Sequence, residues 1–93
     1  MIPPDARPRL ASKARIRFDR RTERYLLLYP ERGLELSPTA ADIVQLCTGE
    51  HTVAEISERL ARKYSAQPRA AIERDMLEFL ATLGERGLVR YEA

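Results

Sequence analysis

Few residues in this chain of 93 could do covalent or proton-transfer chemistry: one cysteine, Cys47, one histidine, His51, and scattered carboxylates. Catalysis by such groups needs a nucleophile beside a base, two carboxylates across a pocket, or a metal-binding cluster. Cys47 follows Ala40, Ile43 and Val44 at helical spacing, so it falls on an apolar helix face, where a thiol acts as a small buried hydrophobe. It has no second cysteine for an intrachain disulfide. His51 stands in the turn Gly49-Glu-His-Thr52, with no CxxC or HxxxH neighbour to share a metal and no triad partners. Glu73, Asp75 and Glu78 recur along one helical segment as a solvated face. Gly33, Gly49, Gly84 and Gly87 occur singly, at turns and helix ends, so no glycine-rich loop cradles a phosphate. No catalytic residue, metal site or cofactor is expected, and the chain reads as a binding module rather than an enzyme.

The chemistry that remains is recognition through charge, backbone hydrogen bonds and apolar contact. The formal net charge of +2 hides an asymmetry. In the first 24 residues eight bases (Arg7, Arg9, Lys13, Arg15, Arg17, Arg20, Arg21, Arg24) meet three acids (Asp5, Asp19, Glu23), a local charge of +5. From residue 25 onward eight bases meet eleven acids, leaving −3. A basic patch of this kind attracts nucleic acid, an acidic peptide or an acidic enzyme surface, or is simply a solvated face. Neither a membrane span nor an apolar signal segment is present in the sequence, so a cytoplasmic protein without a membrane partner is expected.

The elements that must position any binding surface follow from periodicity. Residues 1–12 contain Pro3, Pro4 and Pro8 and predict an extended or mobile basic arm, ahead of one domain over 13–93. Ala14, Ile16 and Phe18 alternate with Arg15, Arg17 and Asp19, the pattern of a half-buried strand. Tyr25-Leu-Leu-Leu-Tyr29 is apolar on both faces, so this second strand should be central with a covered underside. After a turn at Pro30-Glu-Arg-Gly33, Leu34 and Leu36 flank Glu35 in a very short third strand. Ser37-Pro38-Thr39 then caps a first helix carrying Ala40, Ile43, Val44 and Cys47 and ended by Gly49. Thr52-Val-Ala-Glu55 is a capping box for a second helix with Val53, Ile56, Leu60 and Tyr64 on its core face. Pro68 opens a third, whose buried stripe is Ile72, Met76, Phe79, Leu80 and Leu83; Gly87 stops it, and residues 88–91 suit a closing strand. A three-stranded antiparallel sheet followed by three helices is an α+β, winged-helix-like domain.

That architecture is used for DNA binding, which is the alternative function. The third helix argues against it: Arg69 and Arg74 are offset by Glu73, Asp75 and Glu78, a poor face for phosphate. A peptide fits better. A third strand at the sheet edge exposes unpaired backbone groups to which an extended peptide can add. In the third helix the apolar surface continues past the core stripe through Ala70, Leu77, Ala81 and Gly84. If that flank faces the third strand, Leu34 and Leu36 form one wall of an apolar groove and Leu77 and Ala81 the other. Alternatively, Leu77 packs under the arm or against a second subunit. Monomer and strand-exchanged dimer are both compatible with the exposed edges.

Taken in order, Tyr25-Leu-Leu-Leu-Tyr-Pro-Glu31, Gly33, Leu36-Ser-Pro-Thr-Ala40, Ile43 to Leu46, Thr48-Gly49 and Thr52-Val-Ala-Glu-Ile56 resemble the PqqD family. The similarity continues through Met76, Phe79, Leu80, Leu83 and Gly87-Leu-Val89. The resemblance implies a peptide chaperone of pyrroloquinoline quinone biosynthesis, a recognition element for ribosomally made peptides. It would bind the precursor peptide PqqA and present it to the radical SAM enzyme PqqE. Carried onto this sequence, it implies peptide contacts at Arg32, Gly33, Leu34, Glu35, Leu36 and Ser37, and at Ala70, Glu73, Leu77 and Ala81. Position 37 departs from similar sequences, in which asparagine is common, but serine and asparagine both cap helices.

Overall fold

The computed structural model describes residues 2–30 and 32–92. In chain order these form β1 (Arg7–Leu10), β2 (Arg15–Asp19), β3 (Arg24–Tyr29), β4 (Arg32–Leu36), α1 (Pro38–Leu46), α2 (Val53–Lys63), α3 (Arg69–Glu85) and β5 (Val89–Glu92).

The alternation in β2 and the apolar run in β3 build an antiparallel sheet of order β2-β3-β4, with β3 in the centre. Ile16 pairs with Leu27 and Leu27 with Leu34; Phe18 pairs with Tyr25 and Tyr25 with Leu36. These residues share one face, and there Leu27 and Leu36 are fully enclosed while Ile16, Tyr25, Tyr29 and Leu34 pack against the same core. Leu26 and Leu28 point to the opposite face, where they are half-buried and outside the core cluster. The underside expected to be covered is therefore covered only in part. Tyr29 pairs directly with Arg32, so Arg32 and Gly33 belong to β4 rather than to the turn, and the third strand is longer than its leucines indicate. Glu31, part of the expected turn, lies outside the described residues.

The helix starts follow the local chemistry. Ser37 Oγ accepts from Ala40 N at 3.1 Å at the head of α1. Thr52 Oγ1 accepts from Glu55 N at 3.1 Å while Glu55 Oε1 accepts from Thr52 N at 2.7 Å, completing the capping box of α2. Donation from the Thr52 backbone N–H first, and then from its side chain, holds the Glu55 carboxyl below the usual carboxylate range. In α3, Ile72, Met76, Leu80 and Leu83 are buried. Gly87, at φ 69°, then adopts the left-handed conformation that lets Leu88 N donate to Leu83 O at 2.9 Å.

The N-terminal stretch departs from expectation. Instead of an extended or mobile arm, the described residues from Ile2 onward return to the domain, and β1 pairs antiparallel with β5, from Arg7 opposite Glu92 to Leu10 opposite Val89. The other edge of β1 meets the α1–α2 loop: Leu10 N donates to Cys47 O at 2.9 Å and Gly49 N to Pro8 O at 3.0 Å. Val53 N and Ala54 N, free donors at the start of α2, bond to Ala6 O and Pro4 O at 2.9 Å each. Proline removes a donor but keeps its carbonyl, so Pro4 and Pro8 serve here as acceptors. Ala6 and Pro8 are buried while Arg7 and Arg9 point out, the same period of two as in β2. Two of the basic side chains are held locally, since Arg7 Nη1 donates to Glu50 O at 3.0 Å and Arg9 Nη1 to Thr48 O at 3.3 Å.

Candidate functional site

β4 pairs with β3 on one side only, and its other side is a sheet edge. In an antiparallel ladder alternate residues turn their N–H and C=O to each side, so an edge strand offers a ready template for an added strand. Which surface flanks that edge is set by the rotation of α3. Ile72, Asp75 and Phe79 of α3 line a cleft of about 330 Å³ together with Ser37, Thr39, Ala40 and Ile43 at the β4–α1 junction. At the far end Arg86, just past α3, places Nη1 3.4 Å from the hydroxyl oxygen of Tyr29, the cross-strand partner of Arg32. Helix α3 thus runs antiparallel to β4, from Ser37 at one end of the strand to Arg32 at the other, and the cleft lies at the Ser37 end of the free β4 edge.

The apolar floor comes from residues that the core holds still. Ile43 and Ile72 are buried and Phe79 is half-buried against the core. Tyr64 closes the Ser37 end. Its hydroxyl donates to Asp42 Oδ2 at 2.5 Å, and Lys63 Nζ lies 2.9 Å from the same carboxylate oxygen. Burial first, and then the hydrogen bond to Asp42, push the Tyr64 phenol above its ordinary value, so the ring stays a neutral donor. The hydrogen bond that Lys63 itself donates to Asp42, and then the Asp42 charge, raise the Lys63 ammonium above its ordinary value.

Of the residues expected at a peptide site, Arg32, Gly33, Leu34, Glu35, Leu36 and Ser37 all lie on β4 or at its end. Leu36 is buried, so it has only backbone to present, and Glu35 points to the other sheet face, where its carboxylate is 3.5 Å from Arg24. Ala70, Glu73, Leu77 and Ala81 are not brought to this groove. Glu73 and Leu77 line a separate pocket of about 390 Å³ with Ile2, Pro4, Val53 and Ala54. Ala70 borders a shallow surface with Arg69 and Arg74, and Gly84 abuts the ring of Tyr91 in β5. That flank of α3 therefore faces the N-terminal segment, α2 and β5, and Ala81 on it is solvent-exposed. The flank that meets the β4–α1 junction carries Asp75 and Phe79, assigned from sequence to a solvated face and to the core stripe. The one available signal was that Phe79 sits at the margin of the stripe, next to the side on which Asp75 and Thr82 fall.

Cys47 is 3% exposed, and burial pushes its thiol up to about 12, which removes it from nucleophilic chemistry. Among the described residues no group of three His, Cys, Asp or Glu side chains is placed to hold a metal ion. No helix among them is long and apolar enough to cross a membrane.

Comparison with known proteins agrees with this fold. The family model for coenzyme PQQ synthesis protein D (PqqD) matches residues 24–89. A relative from Bradyrhizobium diazoefficiens, named PqqA binding protein, is 38% identical over 84 residues, covering 90% of this chain and 81% of the relative. The solution structure of the PqqD truncation of Methylobacterium extorquens PqqCD, a stand-alone recognition element for ribosomally synthesized and modified peptides, superposes with a TM-score of 0.78 at 33% identity, covering 97% of this chain and 95% of the other. Lasso peptide synthetase B1, solved in complex with a leader peptide, superposes with a TM-score of 0.75 at 26% identity, covering 91% and 99% of the two chains.

Proposed function

This chain belongs to the PqqD family, and from that membership we propose that it is a non-catalytic peptide chaperone that binds the precursor peptide PqqA along the free edge of β4. The observation that carries the reading is the juxtaposition of the open β4 edge with the cleft of mixed polar and apolar lining against α3 at its Ser37 end. An extended peptide there gains backbone hydrogen bonds from β4 and buries alternate side chains on Ile72 and Phe79. Its contacts on the strand side are Arg32 to Ser37; on the helix side they are Ile72, Asp75, Phe79 and Arg86. The second part of the proposal is presentation: with the peptide held at the sheet edge, its remaining length stays accessible to the radical SAM enzyme PqqE. The relatives' name and the leader peptide held by lasso peptide synthetase B1 support a peptide as the ligand.

An NMR titration of ¹⁵N-labelled protein with PqqA tests the first part. Saturable shifts confined to residues 32–37, the start of α1 and the Ile72–Arg86 face support it; shifts confined to Ala70, Leu77 and the N-terminal segment move the site to the other flank of α3. For presentation, PqqE is added to the saturated complex. Release of PqqA on adding PqqE, or no association of PqqE at all, removes that part.

A further inference from the structure

The groove is not electrically uniform, and the charges sit at its ends. Asp75 lines the Ser37 end, with its carboxylate 3.5 Å from Arg74 Nε. At the opposite end Arg86 Nη1 stands 3.4 Å from the Tyr29 hydroxyl oxygen, which accepts from it. Arg32 is the direct cross-strand partner of Tyr29, and paired residues project to the same sheet face. Two guanidinium groups therefore stand at the Arg32 end of β4, past the cleft that reaches Phe79, beside a phenol that accepts from one of them. Among the described residues neither has a carboxylate within ion-pair distance, which is equally true of Arg7, Arg15, Arg17, Arg20, Arg21, Arg59 and Arg90; what sets Arg32 and Arg86 apart is that Tyr29 brings them together.

We infer that the Arg32–Tyr29–Arg86 end of the groove is a carboxylate subsite, occupied by an Asp or Glu side chain of the bound peptide. This inference rests on the peptide-groove reading and adds the chemistry by which register and direction are read. Guanidinium groups match a carboxylate in charge and planar geometry, and a groove edge beside an apolar floor strengthens such a bond relative to open water. Asp75, offset by Arg74, leaves the other end without a free cation, so an acidic residue is directed to the β3–β4 turn end. Phe79 and Arg86 are separated by about 10 Å along a helix rising 1.5 Å per residue. That is roughly three residues of extended chain. The recognised segment accordingly carries an apolar residue for the Ile72–Phe79 floor and an acid about three positions away.

The test uses fluorescein-labelled PqqA and a set of PqqA variants in which each Asp or Glu is changed in turn to its amide. Each is titrated by anisotropy against wild type, Arg86→Gln, Arg86→Lys and Arg32→Gln. One amide change is expected to weaken binding to wild type about tenfold while weakening binding to Arg86→Gln little, with Arg86→Lys intermediate. Arginine variants that bind like wild type, or losses that simply add for every amide change, overturn the subsite and leave the groove standing. A wild-type protein that does not bind PqqA overturns both.

Discussion

Tyr29 and Arg86, 57 residues apart in the chain, meet at 3.4 Å between phenol oxygen and guanidinium nitrogen. That contact ties the end of the central strand to the end of α3 and orients the helix relative to the sheet edge. At the Ser37 end the Ile72–Phe79 face of α3 lines the cleft beside the β4–α1 junction. The flank of α3 that carries Phe79 and Arg86 is thus the one on the β4 side, and the first expectation below depends on it.

Phe79→Ala removes the aromatic floor of the groove and is expected to weaken PqqA binding by about 2 kcal/mol, roughly thirtyfold in Kd. Ala81→Glu, on the opposite flank and exposed, is expected to bind as wild type. Isothermal titration of both proteins, with circular dichroism to verify folding, decides the matter; the reverse ranking would place the peptide on the Leu77 side.

Asp42→Ala deletes the acceptor shared by the Tyr64 hydroxyl and Lys63, on a side chain only 19% exposed. Leaving the Tyr64 hydroxyl unpaired is expected to cost about 1–3 kcal/mol of stability in urea unfolding. A Tyr64→Phe, Asp42→Ala double variant should recover part of that loss; equal stability of all these proteins would mean that the network contributes nothing.

Removal of residues 1–11 takes away the acceptors of Gly49, Val53 and Ala54, the partner strand of β5 and the buried Ala6, Pro8 and Ala11. At about 1 kcal/mol for each backbone bond lost, the truncated protein should be at least ~3 kcal/mol less stable or unfolded. An unchanged melting temperature would show the segment to be the dispensable arm that its prolines indicate.

Cys47, buried and with its thiol raised to about 12, should resist alkylation at pH 8, where only about one ten-thousandth of it is thiolate in the folded state. In denaturant the rate should return to that of an ordinary thiol near 8.5. The sign of the linkage follows: a thiol whose folded pKa is raised contributes stability that is present below the unfolded value and is lost as pH rises from about 8.5 towards the folded value. Rapid labelling of the native protein by iodoacetamide at pH 8 would contradict the burial.

What the sequence determined by itself was local. Alternation over residues 14–18, the apolar run Tyr25–Tyr29, the hydroxyl caps at Ser37 and Thr52 and the Ile72–Leu83 stripe depend on neighbours a few residues away, and each became the element that its period or cap requires. The Leu34–Leu36 part of β4 was legible for the same reason, while Arg32 and Gly33 were expected in the turn. Two things were decided only in three dimensions. Helical periodicity marks a core stripe with a flank on either side but carries no information about which flank meets which neighbour; that came from Arg86 reaching Tyr29 and Phe79 reaching the α1 start, while Leu77 faced Pro4 and Val53. The docking of β1 was hidden because its partners, Val89–Glu92 and the Cys47–Gly49 loop, are distant in sequence. Proline-rich composition predicts a free chain when only the missing donors are weighed, whereas the folded protein makes use of the carbonyls that remain.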